Sequence, residues 1–264
     1  MTIILTLLIS YTILFLYALH KRDNSLVDVF WGFGFMIIAV FSFAQSDRGV
    51  VQYVMTALIL LWGIRLTSHI GFRKVREGKE DPRYAKWREE WGSGWYFIIR
   101  SYLQVFLLQM VLMLVVAMPI LVVNLDFQYI LGGLSTLREF HPGVLLTVLL
   151  LWTAIALSGL VFETIADRQL REFMKIKKPG QIFTTGLYRY SRHPNYFGES
   201  VFWLGVSLIA LPFSYLGLIG WVTITCLLLF VSWVPLQEAR YEWRPEWEEY
   251  KRKTSVFVPW WTKN

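Results

Sequence analysis

The stretch GVLLTVLLLWTAIALSGLVF, residues 143–162, decides the fold of this chain. It holds 20 residues and no charged side chain. An α-helix needs about 20 apolar residues to cross the hydrocarbon core of a membrane, so we predict a transmembrane helix here. Further apolar runs that predict spans cover Thr2–Leu19, Leu26–Ala44, Val50–Ser68 and Ile98–Val123.

The last apolar run, Ser200–Val234, is long enough to cross twice if it turns near Pro212–Ser214. The predicted fold class is therefore all-α, an integral membrane bundle of seven transmembrane helices whose cytoplasmic loops form a cofactor site. The sequence has no internal repeat, low-complexity segment or flexible linker. We predict one domain over residues 1–264, with a cofactor-binding half that begins near residue 143.

The composition favours a membrane surface over nucleic acid as the partner. The chain is 55% hydrophobic, has a mean hydropathy of +0.45 and carries a formal net charge of +7. Its basic residues stand beside apolar runs and form no compact basic domain, so we expect contact with membrane lipids and none with nucleic acid. The first run lacks a basic leader and a small-residue cleavage site, so we expect it to remain as a span.

The basic residues also predict the orientation. Placing alternate loops on opposite sides puts 24 of the 26 Lys and Arg residues on one side and leaves only Arg48 and Arg138 on the other. The positive-inside rule assigns the basic side to the cytoplasm, with the N-terminus outside and the C-terminus inside. The long polar loops, residues 71–97 and 166–199, and the tail from residue 237 fall on that side.

The most informative polar segment is TTGLYRYSRHPNYFGE, residues 184–199. Pro194 and the apolar run after it predict a helix start that puts Asn195 and Glu199, four residues apart, on one helical face. Arg192 and His193 add cationic donors. Such a cluster suits an anionic or adenine-ribose ligand, because guanidinium groups bind phosphates while Asn and Glu pair with hydroxyl and amide edges. The alternative is a basic loop that attaches to anionic lipid.

Two further groups of charged residues are candidates. Glu163, Asp167 and Arg171 recur every four residues and share one helical face, where they either face a cavity or form a mutual salt bridge. In the tail, Arg240 and Tyr241 precede a pattern typical of an amphipathic helix, followed by an extended segment that returns to the membrane.

Asp28 stands inside the second apolar run, and an acid within a span indicates a functional site. The alternative is a structural ion pair with Arg65. The loop Glu80–Tyr84 either packs over such a site or contacts its ligand.

No metal centre is expected. The four histidines are dispersed at positions 20, 69, 141 and 193, and the only cysteine, Cys226, lies in an apolar run. No glycine-rich phosphate-binding loop follows a strand pattern, so a nucleotide would be held by membrane helices and their loops.

The segment RHPNYFGE at 192–199, with a Trp-x-Gly at 203–205, resembles the C-terminal half of the steroid 5-alpha-reductase family. The whole chain, including DVFWG at 28–32, EDPRY at 80–84 and YKRKTSVFVP at 250–259, is similar to an uncharacterised bacterial branch of that family. The resemblance implies seven helices that enclose NADPH, whose hydride passes to an enone double bond. It also implies a place in the bacterial inner membrane.

Carried over by position, the resemblance implies that NADPH is contacted by Asp167, Arg171, Asn195 and Glu199, with Lys178, Arg192, His193, Arg240 and Tyr241 as further cofactor-binding candidates. The family's reductases polarise the substrate carbonyl with a Gln-Glu pair on the second span and a Tyr on the third. Those positions here hold Val27, Asp28 and Trp62. We predict that Asp28 is catalytic and, when burial keeps it protonated, donates a hydrogen bond to a carbonyl oxygen.

The Arg-His-Pro core also resembles isoprenylcysteine carboxyl methyltransferases and phospholipid methyltransferases, which bind S-adenosylmethionine. The leading prediction is an NADPH-dependent oxidoreductase that acts on an activated CH–CH double bond of a lipid-like or steroid-like substrate. The alternatives are a methyltransferase that uses S-adenosylmethionine on a lipid or prenylated substrate, and a non-enzymatic lipid-binding membrane protein.

Overall fold

A computed structural model describes residues 2–125, 142–178, 180–231, 234, 238–239, 241 and 244–262. Every regular element in these ranges is a helix, which confirms the all-α fold class. The chain divides into two compact units, residues 1–132 and 133–264.

The first unit is built from six helices within its described residues. They are α1 (Thr2–Lys21), α2 (Leu26–Phe43), α3 (Val50–Glu77), α4 (Pro82–Trp91), α5 (Trp95–Val116, with a π-helical stretch at Ser101–Leu107) and α6 (Met118–Leu125).

The span predicted over Ile98–Val123 is broken in the structure. The α5 helix ends at Val116, and the amide of Ala117 donates its hydrogen bond to Met113. Pro119 then lies in the first turn of α6. Because proline has no amide hydrogen, it is tolerated in a first turn and not in a helix interior, which explains the break.

The second unit has four α-helices of nine residues or more in its described part. They are α7 (Pro142–Ile176), α8 (Pro194–Ala210), α9 (Gly217–Val231, ending in a π-helical stretch from Leu227) and α10 (Pro245–Lys253). A turn over residues 211–216 separates α8 from α9, which confirms the turn predicted near Pro212–Ser214.

Five helices of the described chain are long and apolar enough to cross a membrane, namely α1, α2, α3, α5 and α7, so the chain has the character of a membrane protein. The α9 helix is apolar but shorter. Large apolar side chains on α7 point away from the protein, with Leu150 60% and Leu151 59% exposed. Such a surface suits lipid and would be costly in water.

Glycines allow the closest helix contacts in each unit. In the first unit, a Cβ added to Gly32 of α2 would lie 2.8 Å from the carbonyl oxygen of Gly63 on α3. In the second, a Cβ added to Gly205 of α8 would lie 2.7 Å from the carbonyl oxygen of Trp152 on α7. Small residues at helix contacts are typical of membrane bundles, where close backbone approach replaces hydrophobic burial.

Candidate functional site

A short loop before α8 is fixed onto α7 by a side chain. Gly186 begins a 3-10 turn at a φ of 62°, a conformation that favours glycine. The amide of Leu187 donates a hydrogen bond of 2.9 Å to Oε1 of Gln169 on α7. A side chain at Gly186 would overlap Gln169, so this glycine permits the loop to approach α7.

The α8 helix begins at Pro194, as the sequence predicts. Asn195 and Glu199 therefore lie about one helical turn apart near its start. Asn195 Nδ2 donates to Oδ1 of Asp167 on α7 at 3.1 Å. The structure therefore brings together two residues that the sequence placed in separate groups.

Three carboxylates lie beside one of the close contacts between α7 and α8. Glu163, Asp167 and Glu199 are all less than 9% exposed. A Cβ on Gly198 would lie 2.6 Å from the backbone nitrogen of Glu163, so the backbones meet at this point. We call Glu163, Asp167, Asn195 and Glu199 the α7–α8 polar strip. Its amide and carboxylate groups can pair with the hydroxyl and amide edges of a ligand.

Arg192 is engaged inside the chain. Its Nε donates to Glu238 at 2.8 Å, and a second nitrogen donates to the other Glu238 oxygen at 3.3 Å. Its third nitrogen donates to the backbone carbonyls of Lys251 and Thr254, both at 3.1 Å. Direct contact between Arg192 and a phosphate would require these partners to be exchanged. In this structure Arg192 instead binds the C-terminal segment through the carbonyls of Lys251 and Thr254.

His193 shares the same acid. Its Nε2 lies 3.1 Å from Oε1 of Glu238, and its ring stacks on Tyr196 with centroids 5.4 Å apart. Burial alone would raise the pKa of Glu238, but the hydrogen bonds from His193 and Arg192 outweigh it and hold that pKa below its usual range. Glu238 is therefore a carboxylate that holds the side chains of Arg192 and His193 in place.

The C-terminal segment after α10 packs against the loop that precedes α8. The amide of Arg192 donates to the carbonyl of Ser255 at 2.8 Å, and Ser191 Oγ donates to the carbonyl of Phe257 at 2.7 Å. The amide of Trp260 donates to the carbonyl of Tyr190 at 3.0 Å. Sequence reasoning predicted a segment that returns to the membrane and missed this pairing.

Other predicted cofactor residues of the second unit differ in their surroundings. Arg171 and Lys178 are exposed, and neither forms an ion pair within the part of the chain that the structure describes. Tyr241 accepts a hydrogen bond of 3.3 Å from Lys177 Nζ and lies against Trp247. Arg240 lies outside the described residues.

In the first unit, Asp28 has two partners in the first turn of α4. Oδ2 accepts from Arg83 at 2.8 Å, and Oδ1 accepts from the Tyr84 hydroxyl at 2.6 Å. The suggested ion pair with Arg65 is therefore wrong, because the partner of Asp28 is Arg83. The sequence contained a signal for this helix start, since Asp81 caps α4 by accepting from the Arg83 amide and Pro82 occupies its first turn.

The hydrogen bonds of Tyr84 decide the role of Asp28 in this arrangement. Gln109 Nε2 donates to the Tyr84 oxygen at 3.1 Å, so the single hydroxyl hydrogen of Tyr84 is directed to Asp28. Burial and the negative charge of Asp28 raise the pKa of Tyr84 well above its ordinary value, which keeps the phenol protonated. Both oxygens of Asp28 act as acceptors, in contrast to the donor role that the sequence suggested.

Residues 14–254 match the family described as Protein of unknown function (DUF1295), which is known as steroid 5-alpha-reductase-like. The chain belongs to this family. The matched region contains every candidate residue, from Asp28 to Tyr241.

One curated relative of this DUF1295 chain is an uncharacterized protein of Schizosaccharomyces pombe. It is 26% identical over 231 residues, which cover 74% of this chain and 59% of the relative. The chain therefore spans less than two thirds of that protein's length. No solved structure shows significant similarity to the chain.

Proposed function

We propose that this DUF1295 chain is a membrane-embedded oxidoreductase that uses NADPH to reduce an activated double bond in a lipid-like or steroid-like substrate. The observation that carries the proposal is the Asp167–Asn195 contact of 3.1 Å, placed one helical turn before the exposed Arg171 on an apolar helix. This arrangement offers polar edges for a ribose or amide and a cation for phosphate.

The length of α7 supports a site at the membrane surface. Its 35 residues extend roughly 52 Å at about 1.5 Å per residue, whereas the hydrocarbon core is about 30 Å thick. The uncharged run ends at Phe162, so the helix from Glu163 onward has enough length to leave the hydrocarbon. A water-soluble nucleotide can reach side chains at that level.

NADPH, when bound, would supply the hydride, and the chain would bind and orient it. We assign the polar edges of the cofactor to Asp167, Asn195 and Glu199, and its phosphates to Arg171 and Lys178. Arg192 and His193 would serve as positioning residues, because Glu238 holds them in place. Asp28 is assigned to the reaction as the residue that positions Tyr84 and Arg83.

Thermal stabilisation by candidate cofactors tests the choice of NADPH. The full-length protein in detergent should melt at a higher temperature with NADPH, since a ligand at about 100 times its Kd adds about 2.7 kcal/mol of stability. NADH should stabilise less, because it lacks the 2′-phosphate that Arg171 and Lys178 would bind. Stabilisation by S-adenosylmethionine alone would contradict the reductase proposal and support a methyltransferase. An unchanged melting temperature with all three ligands would support a non-enzymatic lipid-binding protein.

We also propose seven spans, a cytoplasmic C-terminus and a place in the bacterial inner membrane, on the distribution of basic residues. In a Cys226→Ser background, a thiol reagent confined to the periplasm should miss Lys79→Cys and Arg252→Cys. It should label Arg48→Cys, the matched control at an exposed position in the α2–α3 loop. Efficient labelling of either cytoplasmic position with intact cells would reverse the proposed orientation.

A further inference from the structure

Large aromatic side chains lie exposed around the turn that joins α4 to α5. Trp95 is 78% exposed, Tyr96 59% and Trp87 39%. The 22 residues of α5 extend roughly 33 Å, close to the hydrocarbon thickness of about 30 Å, so a spanning α5 has its first residue, Trp95, at the membrane boundary. Tryptophan and tyrosine are enriched at this level, where their amphipathic rings meet the lipid headgroups.

Arg100 links α4 to the same level. It lies one turn further into α5 than Tyr96, and its guanidinium donates a hydrogen bond of 2.7 Å back to the Tyr96 hydroxyl. Its Cζ atom also lies 5.2 Å from the ring centroids of both Trp91 and Tyr96. A long cationic side chain near the end of a span directs its charge toward the membrane surface in this way. Trp91 of α4 therefore lies at the surface level that Arg100 reaches.

The α4 helix has an aromatic face and an opposite charged face. Tyr84, Trp87 and Trp91 follow one another at three- and four-residue spacing, which places them on one face. Trp87 stacks on Trp91 with ring centroids 5.5 Å apart, and the Tyr84 ring packs edge-on against Trp87 at 5.5 Å. On the other face, Lys86 and Glu90 form an ion pair of 3.8 Å, and their side chains are 74% and 50% exposed. Such polarity is typical of a helix that lies in the plane of a membrane interface.

The exposed aromatic surface continues along α5. Ile99 and Leu103, the next exposed large apolar residues of that helix, are 54% and 51% exposed. Lipid covers the exposed apolar side of a spanning helix, whereas an apolar surface of this extent would be unfavourable in water. The aromatic rings at the turn thus adjoin a surface that already requires lipid.

We propose that α4 lies in the membrane interface, with Trp87, Trp91, Trp95 and Tyr96 at the boundary between lipid headgroups and acyl chains. The charged face of α4 then faces water. Part of the polar loop over residues 71–97 is therefore held against the bilayer and does not extend freely into the aqueous phase.

This placement bears on Asp28, because both of its partners, Arg83 and Tyr84, belong to the first turn of α4. A bilayer that holds the aromatic face of α4 also holds the two groups that fix the Asp28 carboxylate. The inference rests on contacts within the first unit and does not depend on the reductase proposal.

The test places a nitrobenzoxadiazole fluorophore on single cysteines of the full-length protein, in a Cys226→Ser background. The protein is reconstituted in phosphatidylcholine vesicles that contain a phosphatidylcholine with a nitroxide near its headgroup. A probe at Trp87→Cys should be quenched several-fold more strongly than one at Lys86→Cys, the matched control on the charged face. Iodide in the buffer should give the reverse order. Trp91→Cys is a second probe of the aromatic face, which preserves the test if Trp87→Cys does not fold.

Two results would overturn the proposal. Equal quenching of the aromatic-face and Lys86→Cys probes by the nitroxide lipid would show that α4 exposes both faces to the same medium. Protection of the aromatic-face probes from both the nitroxide lipid and iodide would show that protein covers this face, such as a second copy of the chain.

Discussion

Gly159→Val should destabilise the second unit by about 3 kcal/mol or more, because it forces two helix backbones apart. A Cβ at Gly159 would lie 2.6 Å from the carbonyl oxygen of Gly198 and 2.8 Å from the carbonyl carbon of Val201. These are backbone atoms, which cannot rotate away as a flexible side chain would. The two added methyl groups of valine extend the overlap.

The measurement is the melting temperature of the purified protein. Ala154→Val is the matched control, since Ala154 is exposed on the same helix. The glycine variant should melt well below this control and should also lose the Asp167–Asn195 contact that depends on close packing. Equal melting temperatures of the two valine variants would show that α7 and α8 do not pack as described.

Asp28→Leu should cost about 3–5 kcal/mol of stability, the usual effect of removing one partner from a buried ion pair. Asp28 is 8% exposed, and the substitution would leave the Arg83 guanidinium and the Tyr84 hydroxyl without their acceptor. Asp28→Asn should cost less, because its amide oxygen can still accept from Tyr84.

The double variant Asp28→Leu/Arg83→Met provides the sharper result. Replacing both members of a buried pair by apolar groups is often nearly neutral, so the double variant should be more stable than Asp28→Leu alone. Unfolding of Asp28→Leu, of Arg83→Met and of the double variant is compared with that of the wild type in the same detergent. If the losses simply add, or if Asp28→Leu is as stable as the wild type, the ion pair does not stabilise the unit.

The helices were largely predictable from sequence, because the length of each apolar run indicates the approximate length of the helix that it forms. The uncharged stretch at 143–162 predicts a helix from hydropathy alone, and Pro194 marks the start of α8 through its missing amide hydrogen. Pro119 also indicates a helix break near Ala117. We predicted one continuous span there, because the hydropathy of the run does not fall at that position.

The partners of the polar residues were less predictable, because they are distant in sequence. Asp28 and Arg83 are 55 residues apart, and Arg192 reaches carbonyls 59 and 62 residues further on. Charge pattern alone cannot rank Arg65 against Arg83 as the partner of an acid in a span. Backbone carbonyls leave no signal in a sequence, so the internal engagement of Arg192 was not foreseen. Asn195 and Asp167 were both selected, yet their direct contact depends on how closely α7 and α8 pack.

Equilibrium binding of NADPH to the purified full-length protein, followed by the fluorescence of the nucleotide, tests the central claim most directly. The wild type should bind saturably, and Asn195→Ala and Glu199→Ala should each weaken binding by roughly 1.5–3 kcal/mol, or about 10- to 100-fold, while their melting temperatures stay near that of the wild type. Gln45→Ala, an exposed position in the first unit, should bind as the wild type does. Absence of saturable binding, or wild-type affinity in both Asn195→Ala and Glu199→Ala, would contradict the assignment of NADPH to the α7–α8 polar strip.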